Sequence, residues 1–187
     1  ASPMDTSTSA LGGVVVLSNQ KEDGCEWAFT SELETPEGKR TWEIHTLDTP
    51  EDEVFLVLGN TGVHAPTSRQ VALVAAALEA NPERINEIHA IGRVSRRGLK
   101  ALLEGNYEAV GHAMSENHLI LRNLGVSSEE LESLISAALP TSLGAKMTGA
   151  GGGGCMVALT RRPKETREAI ELAGGRCLTS RLGNRGA

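Results

Sequence analysis

Residues 149–154 of this 187-residue chain read GAGGGG, five glycines in six positions, inside the stretch KMTGAGGGGCMVAL (146–159). Ordering a glycine costs more backbone entropy than ordering any other residue, so a folded chain that keeps such a run uses it where side chains would interfere. Three uses are open: close approach of backbone to a ligand, a turn needing positive φ, or a linker. The flanks GAKMT and CMVALT are apolar and ask for burial, unlike the polar surroundings of a linker. A hairpin turn alone needs about one or two glycines. A GxxxxGK[ST] phosphate loop would continue with Lys and Ser or Thr, whereas Cys155 and Met156 follow here. A GxGxxG dinucleotide loop opens a helix, whereas an apolar strand follows. What is left is a glycine hairpin whose backbone borders a ligand.

Other residues with chemical potential have plainer readings when taken alone. Asp5, followed by Thr6, Ser7 and Thr8, suits a turn or a helix cap, and Thr67 suits a helix N-cap. Lys146 reads as a strand lysine with its head in solvent, and Thr148 flanks the loop. His45, His64, His89, His112 and His118 show no metal-ligand spacing, and no metal site is expected in this chain. Cys25, Cys155 and Cys177 are far apart and form no CxxC, which points away from a disulfide framework or structural zinc and toward a reducing cytoplasm.

These residues need elements to hold them. VVVLS (14–18), CEWAFT (25–30) and RTWEIHTL (40–47) read as strands, the last two joined as a hairpin through the turn-rich ELETPEGK (32–39). DEVFLVLGNT (52–61) is a continuous apolar run and suits a strand buried on both faces. Helical spacing begins after Thr67 with Val71, Val74, Ala75 and Leu78 and stops at Asn81-Pro82. Further helices are expected over 83–104, 106–124, 128–139 and 163–173. GAKMT and CMVALT flank the glycines as strands, and RCLTSRL (176–182) is the last strand. The tail, strand, strand, helix, strand, matches the second half of a ferredoxin-like plait, in an α+β domain.

Composition narrows the function classes. The net charge is −6, aromatic residues are 3% of the chain and basic runs are short, so a nucleic-acid partner is not expected. No apolar run approaches the roughly 20 residues that span a bilayer, so no membrane partner is expected either. A small-molecule protein fits best.

The run KMTGAGGGGCMVAL resembles the third conserved motif of the GHMP kinases, the family that contains galactokinases, homoserine kinases, mevalonate kinases and phosphomevalonate kinases. TGAGGGGC is most similar to the mevalonate kinase form, and the Phe typical of galactokinases is missing. SPMDTSTSALGG (2–13) resembles the segment carrying the family's catalytic aspartate before paired glycines, here Asp5 and Gly12-Gly13. NTGVHAPTSRQVALV (60–74) is similar to the family's Asn-Thr stretch, and NHLILRNLGVSSEELESLI (117–135) resembles its helix-turn-helix with a Leu-Gly-Val corner. Four segments in family order cover most of the chain.

The resemblance implies an α+β GHMP kinase C-terminal domain, a ferredoxin-like plait with added helices and an N-terminal strand and hairpin segment. It divides the chain into 1–60, the end of the catalytic portion, and 61–187, the C-terminal domain. It implies ATP with Mg²⁺, mevalonate as the alcohol, Asp5 as the base, and Gly149, Ala150, Gly151, Gly152 and Thr67 beside the substrate and phosphate loop. On this expectation Gly149→Val is damaging. SPMDT, without the Gly common in eukaryotic forms, points to the archaeal type. The family's ATP-binding half, with its Ser-containing loop and Mg²⁺ ligands, has no match here, so a C-terminal fragment, inactive alone and prone to homodimerise, is expected. Rival readings are another kinase of the family acting on phosphomevalonate, homoserine or a sugar, and a non-catalytic binding domain.

Overall fold

The computed structural model describes residues 3–35, 38–50 and 52–183. They divide into two compact units, one of residues up to Asp52 with the chain end from Arg181, the other of Glu53–Ser180.

The first unit begins with a helix where the sequence suggested a turn or cap. Helix α1 spans Met4–Leu11 after Pro3, and Asp5 lies in its first turn, where a carboxylate complements the helix dipole. The serines and threonines that disfavour helix are accommodated by bonding back onto it: Thr6 Oγ1 donates to Pro3 O at 3.1 Å and Thr8 Oγ1 to Met4 O at 2.8 Å. Gly12 and Gly13, at φ of 67° and 65°, end it. Strands β1 (Val14–Ser18), β2 (Glu26–Thr35) and β3 (Gly38–Leu47) follow as an antiparallel sheet in the order β1-β3-β2. The expected turn over 32–39 is mostly strand, with Thr35 opposite Gly38 and Lys39 Nζ paired to Glu32 at 2.7 Å. Pro36 and Glu37 lie outside the described residues.

In the second unit, β4 (Phe55–Asn60) is followed by four helices: α2 (Thr67–Ala80), α3 (Ile85–Leu103), α4 (Tyr107–Asn123) and α5 (Glu129–Ala138). Then come β5 (Gly144–Met147), β6 (Cys155–Thr160), α6 (Pro163–Leu172) and β7 (Arg176–Arg181). The sheet order is β5-β6-β4-β7, with β6 antiparallel to its neighbours β5 and β4. Numbered within the unit this is the plait order, with the first crossover helix expanded into four. Helix punctuation follows side-chain chemistry: Asn106 Oδ1 accepts from Ala109 N at 3.1 Å and Ser128 Oγ from Leu131 N at 3.3 Å.

The core lies on one face of this sheet, where Val57, Ala145, Met147, Met156 and Ala158 pack on Leu131, Leu134, Ile135 and Ile170 of α5 and α6. Strand β4 is buried most deeply on that face: Val57 and Gly59 are buried while Phe55, Leu56 and Leu58 are half-buried, so the two-sided expectation holds only in part. Helix α4 approaches edge strand β5 so closely that a Cβ at Gly111 would collide with Leu143 O, and one at Gly144 with Gly111 O.

Candidate functional site

Strand β5 runs into the glycine-rich loop and β6 leaves it. At its neck, Thr148 donates twice to Cys155 O, from N at 2.9 Å and from Oγ1 at 3.0 Å. Farther out, Gly152 N donates to Val126 O at 2.7 Å, Gly154 N to Val63 O at 2.8 Å, and Thr61 N to Gly154 O at 2.9 Å. The loop is tied down along its length, which excludes the linker reading.

The glycines are required for different reasons. Gly149, Gly151, Gly152, Gly153 and Gly154 all have positive φ, from 67° to 154°, while Ala150 does not, which is why a methyl is tolerated there. At Gly149 a Cβ meets nothing, so backbone conformation alone selects glycine. At Gly151 a Cβ would strike Val126 O, at Gly152 the Gln70 amide, and at Gly153 it would come within 2.6 Å of Val63 O. The N–H groups of Gly149, Ala150 and Gly153 have no acceptor among the described residues.

Helix α2 presents its first turn to this loop. Its cap position is Pro66, no side chain caps it, and no acid lies in its first turn, so Thr67 and Ser68 are helical residues rather than caps. Thr67 is exposed, and Gln70, one turn in, is 7% exposed with its amide against Gly152. Below the loop a cleft of about 430 Å³ is lined by apolar residues, among them Val74, Ile91, Leu121 and Met147, with Gln70 the polar side chain on its wall.

Thus Gly149, Ala150, Gly151, Gly152 and the α2 turn carrying Thr67 come together in the second unit. Asp5 belongs to the first. Its carboxylate is exposed and takes no hydrogen bond or ion pair among the described residues. Lys146 departs from its expectation: it is half-buried and lines a pocket with Val94, Gly98, Val110 and Met114, and desolvation holds its pKa below the ordinary lysine value. His64 is exposed. No group of three or more His, Cys, Asp or Glu converges as a metal cage among the described residues, and no described helix is long and apolar enough to cross a membrane.

Spacing did not reveal a polar cluster beside the loop. His118 on α4 is 4% exposed. Its Nε2 lies 2.8 Å from Glu132 Oε1, and its Nδ1 accepts the Met147 N–H at 3.4 Å. Glu132 Oε1 also accepts from Ser127 Oγ at 2.6 Å, and Arg122 Nη1 lies 3.5 Å from Oε2. Burial raises the Glu132 pKa, but the bonds from Ser127 and His118 and the nearby Arg122 cation outweigh it, and the net shift is downward. The only sequence trace is the three-residue spacing of Ser115 and His118, which puts them on one face of α4.

Comparison with known proteins bears on this site. Residues 99–175 match the family profile described as GHMP kinases C terminal. A curated relative, the mevalonate kinase of Pyrococcus furiosus, is 39% identical over 142 residues, covering 72% of this chain and 42% of the relative. The chain therefore spans less than half the length of that relative. Among solved structures, a mevalonate kinase of L. major in complex with R-mevalonate superposes with a TM-score of 0.65 at 23% identity, covering 83% of this chain and 49% of the other. A phosphomevalonate kinase of Streptococcus pneumoniae, in complex with phosphomevalonate and AMPPNP, gives 0.64 at 22%, covering 76% and 44%. At those identities the two structures speak for the fold.

Proposed function

We propose that this chain, which belongs to the GHMP kinases and carries their C-terminal domain, is part of a mevalonate kinase of the archaeal type, transferring the γ-phosphoryl of ATP to the primary alcohol of mevalonate. The observation that carries the reading is the 39% identity to the Pyrococcus furiosus mevalonate kinase over 72% of the chain.

An alcohol is a weak nucleophile near neutral pH, so a carboxylate must orient it and accept its proton. Asp5, exposed and unpaired in the first turn of α1, has that capacity. As the alcohol oxygen bonds to the γ-phosphorus, the bond to the β,γ-bridging oxygen breaks, its electron pair leaves with ADP, and the proton passes to Asp5. The unpaired N–H groups of Gly149, Ala150 and Gly153 suit an anionic oxygen, because backbone donors fixed in advance need no reorganisation. Mg²⁺ supplies charge neutralisation on the phosphates in such reactions. The described residues do not form a cage for it, so no step of this mechanism runs through it, and its ligands belong in this reading to the ATP-binding half.

A reducing cytoplasm is the compartment that suits three free cysteines. Homodimerisation belongs to this reading through the apolar, exposed Val71 and Leu73 of α2.

The test is ADP release by the natural-length protein with Mg-ATP and mevalonate, against phosphomevalonate, homoserine and galactose. Turnover on mevalonate is expected, with Asp5→Asn lowering kcat by about 10²- to 10⁴-fold at unchanged thermal stability. Turnover confined to another alcohol discards the substrate, and undiminished turnover by Asp5→Asn discards the base. The 187-residue chain by itself is expected to release no ADP.

A further inference from the structure

Strand β5 is the edge of its sheet, so the N–H groups that point away from β6 need partners from elsewhere. Helix α4 supplies them. Ser115 Oγ accepts the Ala145 N–H at 3.3 Å and His118 Nδ1 accepts the Met147 N–H at 3.4 Å. Such a row of side-chain acceptors requires helix and strand to be unusually close, which Gly111 and Gly144 permit by lacking Cβ atoms. Met147 is the last residue of β5, immediately before the neck of the glycine-rich loop.

An imidazole accepts through Nδ1 only when its proton sits on Nε2, and a hydrogen-bonded carboxylate at Nε2 selects that tautomer and fixes the ring plane. Glu132 occupies that position at 2.8 Å. The same carboxylate takes Ser127 Oγ, next to Val126, whose carbonyl holds Gly152 N at 2.7 Å. One carboxylate thus lies behind two grips on the loop, at its entrance through His118 and at its crown through the Val126 corner.

We propose that His118, aligned by Glu132, is a positioning residue that holds the glycine-rich loop in its working shape through the Met147 N–H. The consequence for turnover rests on the kinase reading above; the consequence for loop order does not. His118 touches no reacting atom in this scheme. Its effect is transmitted through β5, so it alters how long the loop presents its backbone correctly rather than what the loop contacts.

Two isosteres separate the halves of the imidazole. Asn places an acceptor near Nδ1, whereas Gln places its amide near Nε2 and loses the Met147 acceptor. Amide hydrogen exchange on the full chain is expected to speed at Met147 and Gly152 in His118→Gln by about tenfold, the scale of one net hydrogen bond, and to stay within about twofold of the unmodified chain in His118→Asn. Ser115→Ala is expected to affect Ala145 and leave the loop amides unchanged. Should a His118 variant fail to fold, Glu132→Gln, which keeps an acceptor for Nε2 but removes the charge, is expected to speed the same amides by a smaller factor. Equal exchange in the Asn and Gln variants, or unaltered loop amides in both and in Glu132→Gln, overturns the inference.

In the natural-length protein, His118→Gln is expected to lower kcat about tenfold with KM for ATP little changed, and His118→Asn to recover most of it. If exchange responds as expected but the unmodified protein phosphorylates none of the alcohols, the kinase reading fails and the loop-positioning role stands. If the unmodified protein turns over and His118→Gln matches it in kcat, the positioning inference fails while the kinase reading stands.

Discussion

Helices α2 and α4 flank the same glycine-rich loop and meet it in different ways. Helix α4 holds the strand that feeds the loop, through Ser115, His118 and the backbone contact at Gly111, and it buries Tyr107, Gly111 and His118. Helix α2 buries only Gln70, which leans on Gly152, while its Val71 is 62% exposed. On the α4 side the closest contact, Gly111 against Leu143 and Gly144, is backbone against backbone and cannot yield. On the α2 side the contact is the end of a flexible side chain, which can move aside. The strand that feeds the loop is therefore held rigidly, whereas the contact of α2 with the loop itself is adjustable.

The largest expected effect breaks the rigid contact. Gly111→Val drives a branched side chain into Leu143 and should destabilise the protein by about 3 kcal/mol or more, as read by denaturant unfolding. If Gly111→Val unfolds at the midpoint of the unmodified protein, the close approach of α4 to β5 is wrong. A sharper contrast compares two neighbouring glycines. Gly151→Ala meets Val126 O, whereas Gly152→Ala meets the Gln70 amide, and both carry the strain of positive φ, about 1 to 2 kcal/mol. Gly151→Ala should therefore lower the unfolding midpoint distinctly more than Gly152→Ala; equal losses would mean that the Val126 carbonyl and the Gln70 amide yield equally.

The smallest effect should be a gain. Lys146 is half-buried on the α4 side with its pKa depressed by desolvation. Between that lowered value and the usual lysine range the unfolded chain holds more protons than the folded one, so stability should rise with pH across this window. Below it the cost of the desolvated cation is felt in full. Lys146→Met should stabilise by about 1 kcal/mol near neutral pH and flatten the alkaline rise, measured as unfolding midpoint against pH. A loss of stability in this variant would show that the lysine has a partner that matters.

Much of the fold was readable in one dimension because its signals are local. The expected helices over 83–104, 106–124 and 128–139 appear as Ile85–Leu103, Tyr107–Asn123 and Glu129–Ala138, since apolar spacing and the caps Asn106 and Ser128 act within a few residues. The plait was likewise legible from the order of its last elements. Helix α1 was missed because the hydroxyls of Thr6 and Thr8, which usually favour turns, bond back onto Pro3 and Met4 instead. Lys146 was misplaced because a strand lysine faces solvent unless something covers it, and what covers it is α3 and α4, up to 52 positions upstream at Val94.

The sequence by itself determined the glycine run, its apolar flanks and the need for backbone that no side chain obstructs, because those follow from residue type alone. It also carried the family likeness that makes Asp5 a candidate base. Tertiary structure alone decided which glycines are required by conformation and which by a neighbour: Gly149 meets nothing, while Gly151 faces a carbonyl 25 residues earlier in the chain, at Val126. It alone joined His118 to Glu132 and Met147, because those groups lie 14 and 29 residues apart in sequence and meet only when α4 closes the open edge of β5. Hydrogen-bond partners of a strand edge are set by what packs there, and no local rule of sequence contains that information.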